Sequence, residues 1–261
     1  MNTSSSAGQM ASINGMQMYY EVHGQGEPLV LLHGFTGSGA DWQYIFKEPP
    51  DGYRLVIPDL RGHGRSTNPS NQFTFRQSAL DVFALLDQLG IERFQAIGLS
   101  GGGNTLLHMA TQQPGRVEAM ALVSATSYFP AQARAIMGQF TVDSLTDGDW
   151  QIQRQRHKHG DEQIRALWAQ GNAFKDSYDD MNFTPPYLST ITARTLIVHG
   201  DRDPFYPAHI AMEMYAALPG SYLWIIPNGG HGLIFGDMAA RFVETALAFL
   251  RGEWEGNPES R

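Results

Sequence analysis

The stretch that most constrains this chain runs from Phe94 to Ala110. An apolar segment, Phe94–Ile97, leads into Gly98-Leu99-Ser100-Gly101-Gly102, and Gly103-Asn104-Thr105-Leu106-Leu107-His108-Met109-Ala110 follows. The first part has the composition of a buried strand and the last that of a helix, so the five residues between them must turn the backbone sharply. The glycines around Ser100 remove Cβ atoms that would clash where strand and helix meet so closely. Such a turn pushes the apical hydroxyl outward, beside helix N-terminal amides that favour developing negative charge. Strand, G-x-S-x-G and helix in succession point to a serine nucleophile. The alternative is a glycine-rich turn in which Ser100 only caps the helix.

Around this turn, apolar runs alternate with amphipathic segments. Met16–Val22 alternates apolar with polar and leads through Gly24-Gln25-Gly26 into Leu29-Val30-Leu31-Leu32. This pattern predicts an antiparallel hairpin whose second strand is buried on both faces. Further strands are expected at Arg54–Ile57, Phe94–Ile97, Val117–Val123, Thr195–Val198 and Tyr222–Ile226. Helices are expected over Phe73–Leu89, Gly101–Gln113, Ala208–Leu218 and Met238–Leu250; the first has Leu80, Phe83, Ala84, Leu86 and Leu89 at helical spacing and Gly90 as its stop. Alternation of this kind implies an α/β fold, a mostly parallel sheet with helices on both faces. Residues 125–192 break the rhythm. They hold Phe129, Phe140, Trp150, Trp168, Phe174 and Tyr187 among polar residues without a strand-like run. The stretch is too long for a loop and reads as a helical cap inserted into a core of residues 12–124 and 193–254. Residues 1–11, polar and rich in Ser and Gly, are expected to be a disordered tail.

Composition removes several function classes. A net charge of -8 with no basic stripe argues against nucleic acid as a partner. It also gives no reason to expect an anionic membrane. With 0 cysteines, disulfides, thiol catalysis and zinc–thiolate sites are excluded, and a reducing compartment fits. The N-terminus lacks the cationic start and apolar core of a signal peptide, and no apolar run approaches membrane-spanning length. A cytoplasmic protein acting on a small molecule is the expectation.

A serine needs an adjacent base, and the base needs a group to orient it. On an α/β sheet these partners follow the serine in the order acid, then histidine. After the strand Thr195–Val198 comes His199-Gly200-Asp201-Arg202-Asp203-Pro204, and after Tyr222–Ile226 comes Pro227-Asn228-Gly229-Gly230-His231-Gly232. Both lie at C-terminal ends of parallel strands, where sites form in open α/β sheets. Of the 9 histidines, only His209 and His231 follow the acid cluster. His209 opens a helix, whereas the glycines around His231 let its loop reach across the sheet, so His231 is the candidate base. Asp201 and Asp203 are both candidates for the acid.

At this point the chain resembles the α/β-hydrolase superfamily. The resemblance covers nearly everything outside the N-terminal tail and is weakest in residues 125–192. Its motifs stand in order: His33-Gly34-Phe35-Thr36-Gly37, then Asp59-Leu60-Arg61-Gly62-His63-Gly64-Arg65-Ser66, then the turn at Ser100, then the acid and histidine loops. The resemblance implies an eight-stranded sheet under a helical cap, with Ser100 as nucleophile and His231 as general base and then acid. The family's acid loop, G-x-x-D-x-x-x-P, matches Gly200–Pro207 with Asp203 as the acid, leaving Asp201 to local hydrogen bonds. The backbone N–H groups of Phe35 and Gly101 would form the oxyanion hole. His33 is expected to brace its loop, and His63 to be structural.

Serine at the turn disfavours the haloalkane dehalogenases and epoxide hydrolases of this superfamily, which use Asp there. Carbon–carbon bond hydrolases also use Ser, often with an aromatic just after the histidine and a specific cap arginine; here Gly232-Leu233 follows His231. The simplest expectation is hydrolysis of a carboxylic ester, lactone or thioester through an acyl-serine, without a cofactor. The rivals are a small-molecule receptor on the same scaffold, and a carbon–carbon bond hydrolase or lyase using the same triad. A mostly apolar pocket without a charged-substrate clamp is expected, with Phe35, Tyr128, Phe129, Met137, Trp150, Trp168 and Leu233 as candidate liners. Trp150, Trp168 and Phe174 are alternatively the cap's own small core. His157-Lys158-His159-Gly160-Asp161 imitates the H-x-H-x-D of binuclear zinc hydrolases. Glu162 follows in place of another histidine, and Arg154, Arg156 and Lys158 would repel a dication. The stretch therefore reads as a solvated helix face, and no metal is expected.

Overall fold

The computed structural model describes residues 8–254. The chain runs through β1 (Gln9–Ile13), β2 (Met16–Gly24), β3 (Glu27–Leu32), β4 (Tyr53–Pro58), α1 (Phe75–Gln88), β5 (Phe94–Leu99), α2 (Gly101–Gln112) and β6 (Val117–Val123). An insertion follows with α3 (Ala131–Met137), α4 (Asp147–Arg156), α5 (Asp161–Ala173) and the short α6 (Pro185–Leu188). The core resumes with β7 (Arg194–Gly200), α7 (Ala208–Ala217), β8 (Tyr222–Ile226) and α8 (Ala239–Leu250). This is the α/β-hydrolase fold: one 8-stranded sheet, ordered β1-β2-β4-β3-β5-β6-β7-β8, with β1 and β2 antiparallel to their neighbours and the rest parallel.

The alternation of side chains along each strand divides the core. In β3, Val30 and Leu32 face one layer with α1 and α2, while Leu29 and Leu31 face the other with α8. All four are fully buried, which only a central strand with helices on both sides allows. That requirement overturns the expected hairpin of β2 with β3. β4 lies between them, pairing antiparallel with β2 and parallel with β3.

The N-terminal boundary also differs from expectation. Gln9, Met10 and Ala11 belong to β1, paired with Tyr20, Tyr19 and Met18; residues 1–7 of the expected tail lie outside the described residues. β1 and β2 are joined by Asn14-Gly15, both at positive φ, +43° and +77°. This is the backbone of a tight two-residue hairpin turn.

The chain order reverses at β3: β4 lies on one side of it and β5 on the other. Loops leaving the C-terminal ends of β3 and β5 therefore diverge and open a crevice between them. The insertion leaves the core above that crevice. Its neck is closed by a β-bridge between Tyr128 and Asn182 and by Phe183 N–H on Ser127 O at 2.9 Å. Among the described residues, no helix is long and apolar enough to cross a membrane.

Candidate active site

Ser100 stands at the junction of β5 and α2 with φ +51° and ψ −114°, a backbone that a non-glycine residue adopts only when its surroundings hold it there. Its N–H donates to Val123 O at 2.7 Å, and its carbonyl accepts Asn104 N–H at 2.9 Å. The neighbouring glycines are steric necessities: a Cβ on Gly98 would lie 2.6 Å from the Gly102 backbone, and one on Gly102 would overlap the Leu32 carbonyl. The hydroxyl projects at the α2 N-terminus.

His231, in the loop after β8, brings Nε2 to 2.8 Å from Ser100 Oγ. Its Nδ1 lies 2.7 Å from Asp203 Oδ2. A carboxylate can only accept, so Nδ1 carries the proton and Nε2 is free to accept the serine hydroxyl. Asp203, 6% exposed, is fixed through its other oxygen, which accepts Phe205 N–H at 2.8 Å and Tyr206 N–H at 3.1 Å. Asp201 is exposed and donates its backbone N–H to Ile226 O at 3.3 Å. Ser124 Oγ donates to the His231 carbonyl at 2.8 Å, tying the histidine loop to the end of β6.

The amides of Phe35 and Gly101 border one small space beside the hydroxyl. A Cβ built on Gly101 would sit 3.1 Å from Phe35 N. Among the described residues neither N–H has an intramolecular acceptor, which leaves both available to an oxyanion. Behind this loop, His33 accepts Leu60 N–H at 3.0 Å and reaches Gly34 O at 2.8 Å. Burial pushes the His33 and His63 imidazoles down to about 3, so both are neutral.

Above the hydroxyl is a cavity of about 460 Å³. Of the candidate liners, Phe35, Phe129 and Met137 border it, and Tyr128, Trp150, Trp168 and Leu233 do not. Tyr128 turns its hydroxyl outward to Glu213 at 3.2 Å. Trp150 and Trp168 join Ile164 and Leu167 in the insertion's own small core, where a large ring buries more area than at a half-open pocket wall. Leu233 is buried in the layer with α8, on the other side of its loop. In their place the wall is built by Phe75, Phe140, Phe174, Phe205, Tyr206 and Phe235. Phe205, Tyr206 and Phe235 lie within four residues of Asp203 or His231, and that nearness was the available signal. Phe75, which opens α1, carried none.

One cation borders the cavity among its described lining residues, Arg156 at the end of α4. Its guanidinium donates to Asp41 Oδ1 at 2.9 Å. The next residue, His157, corrects the expected solvated face: it is 2% exposed, and Gly64 N–H donates to its Nδ1 at 3.0 Å. Asp161 pairs with Arg154 at 2.8 Å. No cluster of three or more metal-ligating side chains forms among the described residues.

A family model for the alpha/beta hydrolase fold matches residues 27–140, the segment holding the Phe35 loop and Ser100. A solved meta-cleavage product hydrolase from Pseudomonas fluorescens superposes with a TM-score of 0.77 over 94% of this chain and 98% of that one, at 19% identity. The chain is similar to alpha/beta hydrolases over residues 27–140 and shares their fold. Its fold is likewise similar to that of an enol-lactonase from Burkholderia xenovorans, with a TM-score of 0.74, 22% identity and coverage of 93% and 100%. By sequence it is 28% identical over 254 residues to the serine hydrolase BPHL of Mus musculus, covering 90% of this chain and 84% of that protein. It is 29% identical to the dihydrolipoyllysine-residue acetyltransferase component of an acetoin cleaving system from Cupriavidus necator, covering 85% of this chain and 64% of that protein's length. These likenesses support a hydrolase.

Proposed function

We propose that this hydrolase cleaves carboxylic esters or lactones through an acyl-Ser100 intermediate. The observation that carries the reading is the unbroken relay from Ser100 Oγ through His231 to Asp203, at 2.8 Å and 2.7 Å, facing two unpaired amides. His231 Nε2 takes the serine proton as Oγ attacks the substrate carbonyl. The negative charge that develops on the carbonyl oxygen is met by the N–H groups of Phe35 and Gly101. The imidazolium, stabilised by ionised Asp203, then protonates the leaving alkoxide. A water molecule, deprotonated by His231, attacks the acyl-serine and releases the acid.

The cavity supports an uncharged substrate. Its wall is aromatic, and Arg156 is neutralised by Asp41. The second reading, carbon–carbon bond hydrolysis, draws support from the likeness to the meta-cleavage product hydrolase. The paired arginine and the Gly232-Leu233 that follows His231 favour the ester reading over it. A panel of short p-nitrophenyl esters, lactones and vinylogous diketones separates the two by specificity constant. Ser100→Ala is expected to abolish both the p-nitrophenol burst and steady-state turnover. Wild-type turnover in that variant would sink the assignment.

A further inference from the structure

Thr36 is the strained residue of the loop after β3. Its φ is +63°, a left-handed conformation that β-branched residues rarely adopt. It occupies the third position of a turn closed by Gly37 N–H on Gly34 O at 3.0 Å, where a positive φ ordinarily calls for glycine. Strain of this kind persists only where neighbouring groups hold it, and it gathers at functional sites.

Here the holding groups come from the insertion. Because Gly64 N–H donates to His157 Nδ1, the imidazole proton is on Nε2. That N–H donates to Thr36 O at 3.2 Å. Arg156 reaches the same carbonyl at 3.5 Å while holding Asp41, and Asp41 accepts Ser38 N–H at 3.0 Å. From the core side, His33 Nδ1 donates to Gly34 O at 2.8 Å. Gly34 O and Phe35 N–H belong to one planar peptide and point in opposite directions, so fixing the carbonyl aims the amide. The ring of Phe35 is backed edge-on by His63 at 5.0 Å. The loop is thus gripped before Phe35 by the core and after it by the insertion.

We propose that His157, assisted by Arg156, is a positioning residue that keeps the Phe35 amide aimed at the developing oxyanion. The insertion would then govern the chemical step as well as wall the pocket. The inference rests on the ester-hydrolase reading.

The test is kinetic. His157→Leu removes donor and acceptor together, while His157→Gln keeps an amide oxygen for Gly64 and an N–H for Thr36. With p-nitrophenyl butyrate, His157→Leu is expected to lower kcat roughly ten- to hundredfold and to change KM by less than about threefold. His157→Gln should recover most of that loss. Affinity for a trifluoromethyl ketone, whose adduct on Ser100 needs the same amides, should fall by the factor seen in kcat/KM. Arg156→Met, at a half-buried position, should give a smaller loss of the same kind. Wild-type kcat in His157→Leu overturns the proposal, as does a loss carried by KM with ketone affinity unchanged. If His157→Leu does not fold, Arg156→Met decides, and unchanged kcat and ketone affinity there overturn the proposal. Turnover surviving in Ser100→Ala overturns the hydrolase reading and this inference with it. Turnover abolished there but undiminished in His157→Leu overturns the inference alone.

Discussion

The carboxylate of Asp203 divides its two oxygens between different partners. Oδ1 accepts the N–H groups of Phe205 and Tyr206, and Oδ2 faces His231 Nδ1. The division makes a strong prediction for Asp203→Asn. With two backbone donors fixed on the first position, the amide oxygen must stay there and the NH2 must face His231. Nδ1 then becomes an acceptor and the proton moves to Nε2, which presents a donor to Ser100 where the proposed mechanism needs a base. Turnover of a p-nitrophenyl ester should fall by roughly a thousandfold or more, with Tm nearly unchanged because every hydrogen bond keeps a partner. A loss of less than about tenfold would mean that Asp203 does not set the imidazole tautomer. At this scale much was legible in the sequence. Glycines mark the turns around Ser100 and His231, loop order separates His231 from seven other histidines, and the helix that His209 opens sets that one aside. Trp150 and Trp168 were legible only as pocket wall or cap core, because composition does not say which way an insertion folds its rings.

Elements meet in ways that local pattern does not announce. The central strands were readable since unbroken apolar runs such as Leu29–Leu32 must be covered on both faces. β1 was missed because Gln9–Ile13 buries only Ala11 and Ile13, too few for a periodic signal, although Asn14-Gly15 marks its turn. The hairpin of β2 with β3 failed because neighbours in sequence need not be neighbours in a sheet. A further example is the start of α1. Thr74 caps it locally, accepting Gln77 N–H at 3.0 Å. A second cap arrives from the far end of the insertion: Asp180 accepts Phe75 N–H at 2.7 Å and Arg76 N–H at 3.1 Å. Its carbonyl takes His108 Nε2–H at 2.7 Å, pinning the returning segment of the insertion to α2. An anionic acceptor at a helix N-terminus gains from both the orphan amides and the dipole. Asp180→Ala should therefore destabilise the fold by about 1–2 kcal/mol. Thermal unfolding should register this as a fall of several degrees, with Asp180→Asn in between. An unchanged Tm would show that the insertion is anchored elsewhere.

The whole molecule carries its buried histidines as uncharged hydrogen-bonding parts, and that makes its stability depend on pH. His33, His63 and His157 are 1%, 0% and 2% exposed, and burial holds each at about 3, far below an ordinary histidine near 6.5. Geometry agrees for two of them. His33 Nε2 and His157 Nδ1 each accept a backbone N–H, so protonation would set two donors against one another. The unfolded chain takes up these protons below about pH 6.5 and the folded one does not until about pH 3. Their contribution is therefore fully present above pH 6.5 and is lost as pH falls toward 3, at about 1.4 kcal/mol per pH unit for each histidine. Asp59 acts in the opposite sense. Desolvation raises its carboxyl to about 6, so the folded state gains a proton that the unfolded chain takes up only nearer pH 4. Denaturant unfolding should show stability level above pH 7 and, with the Asp59 contribution offsetting part of the loss, falling by on the order of 2 kcal/mol between pH 6.5 and 5.5, a large share of what a domain has. The slope corresponds to about two protons, and His157→Gln, which cannot titrate, should reduce it by about one. A flat profile from pH 7.5 to 5 would mean that these imidazoles take up protons in the fold at the same pH as in the unfolded chain, and the neutral tautomers assigned to His33 and His157 would have to be abandoned with it.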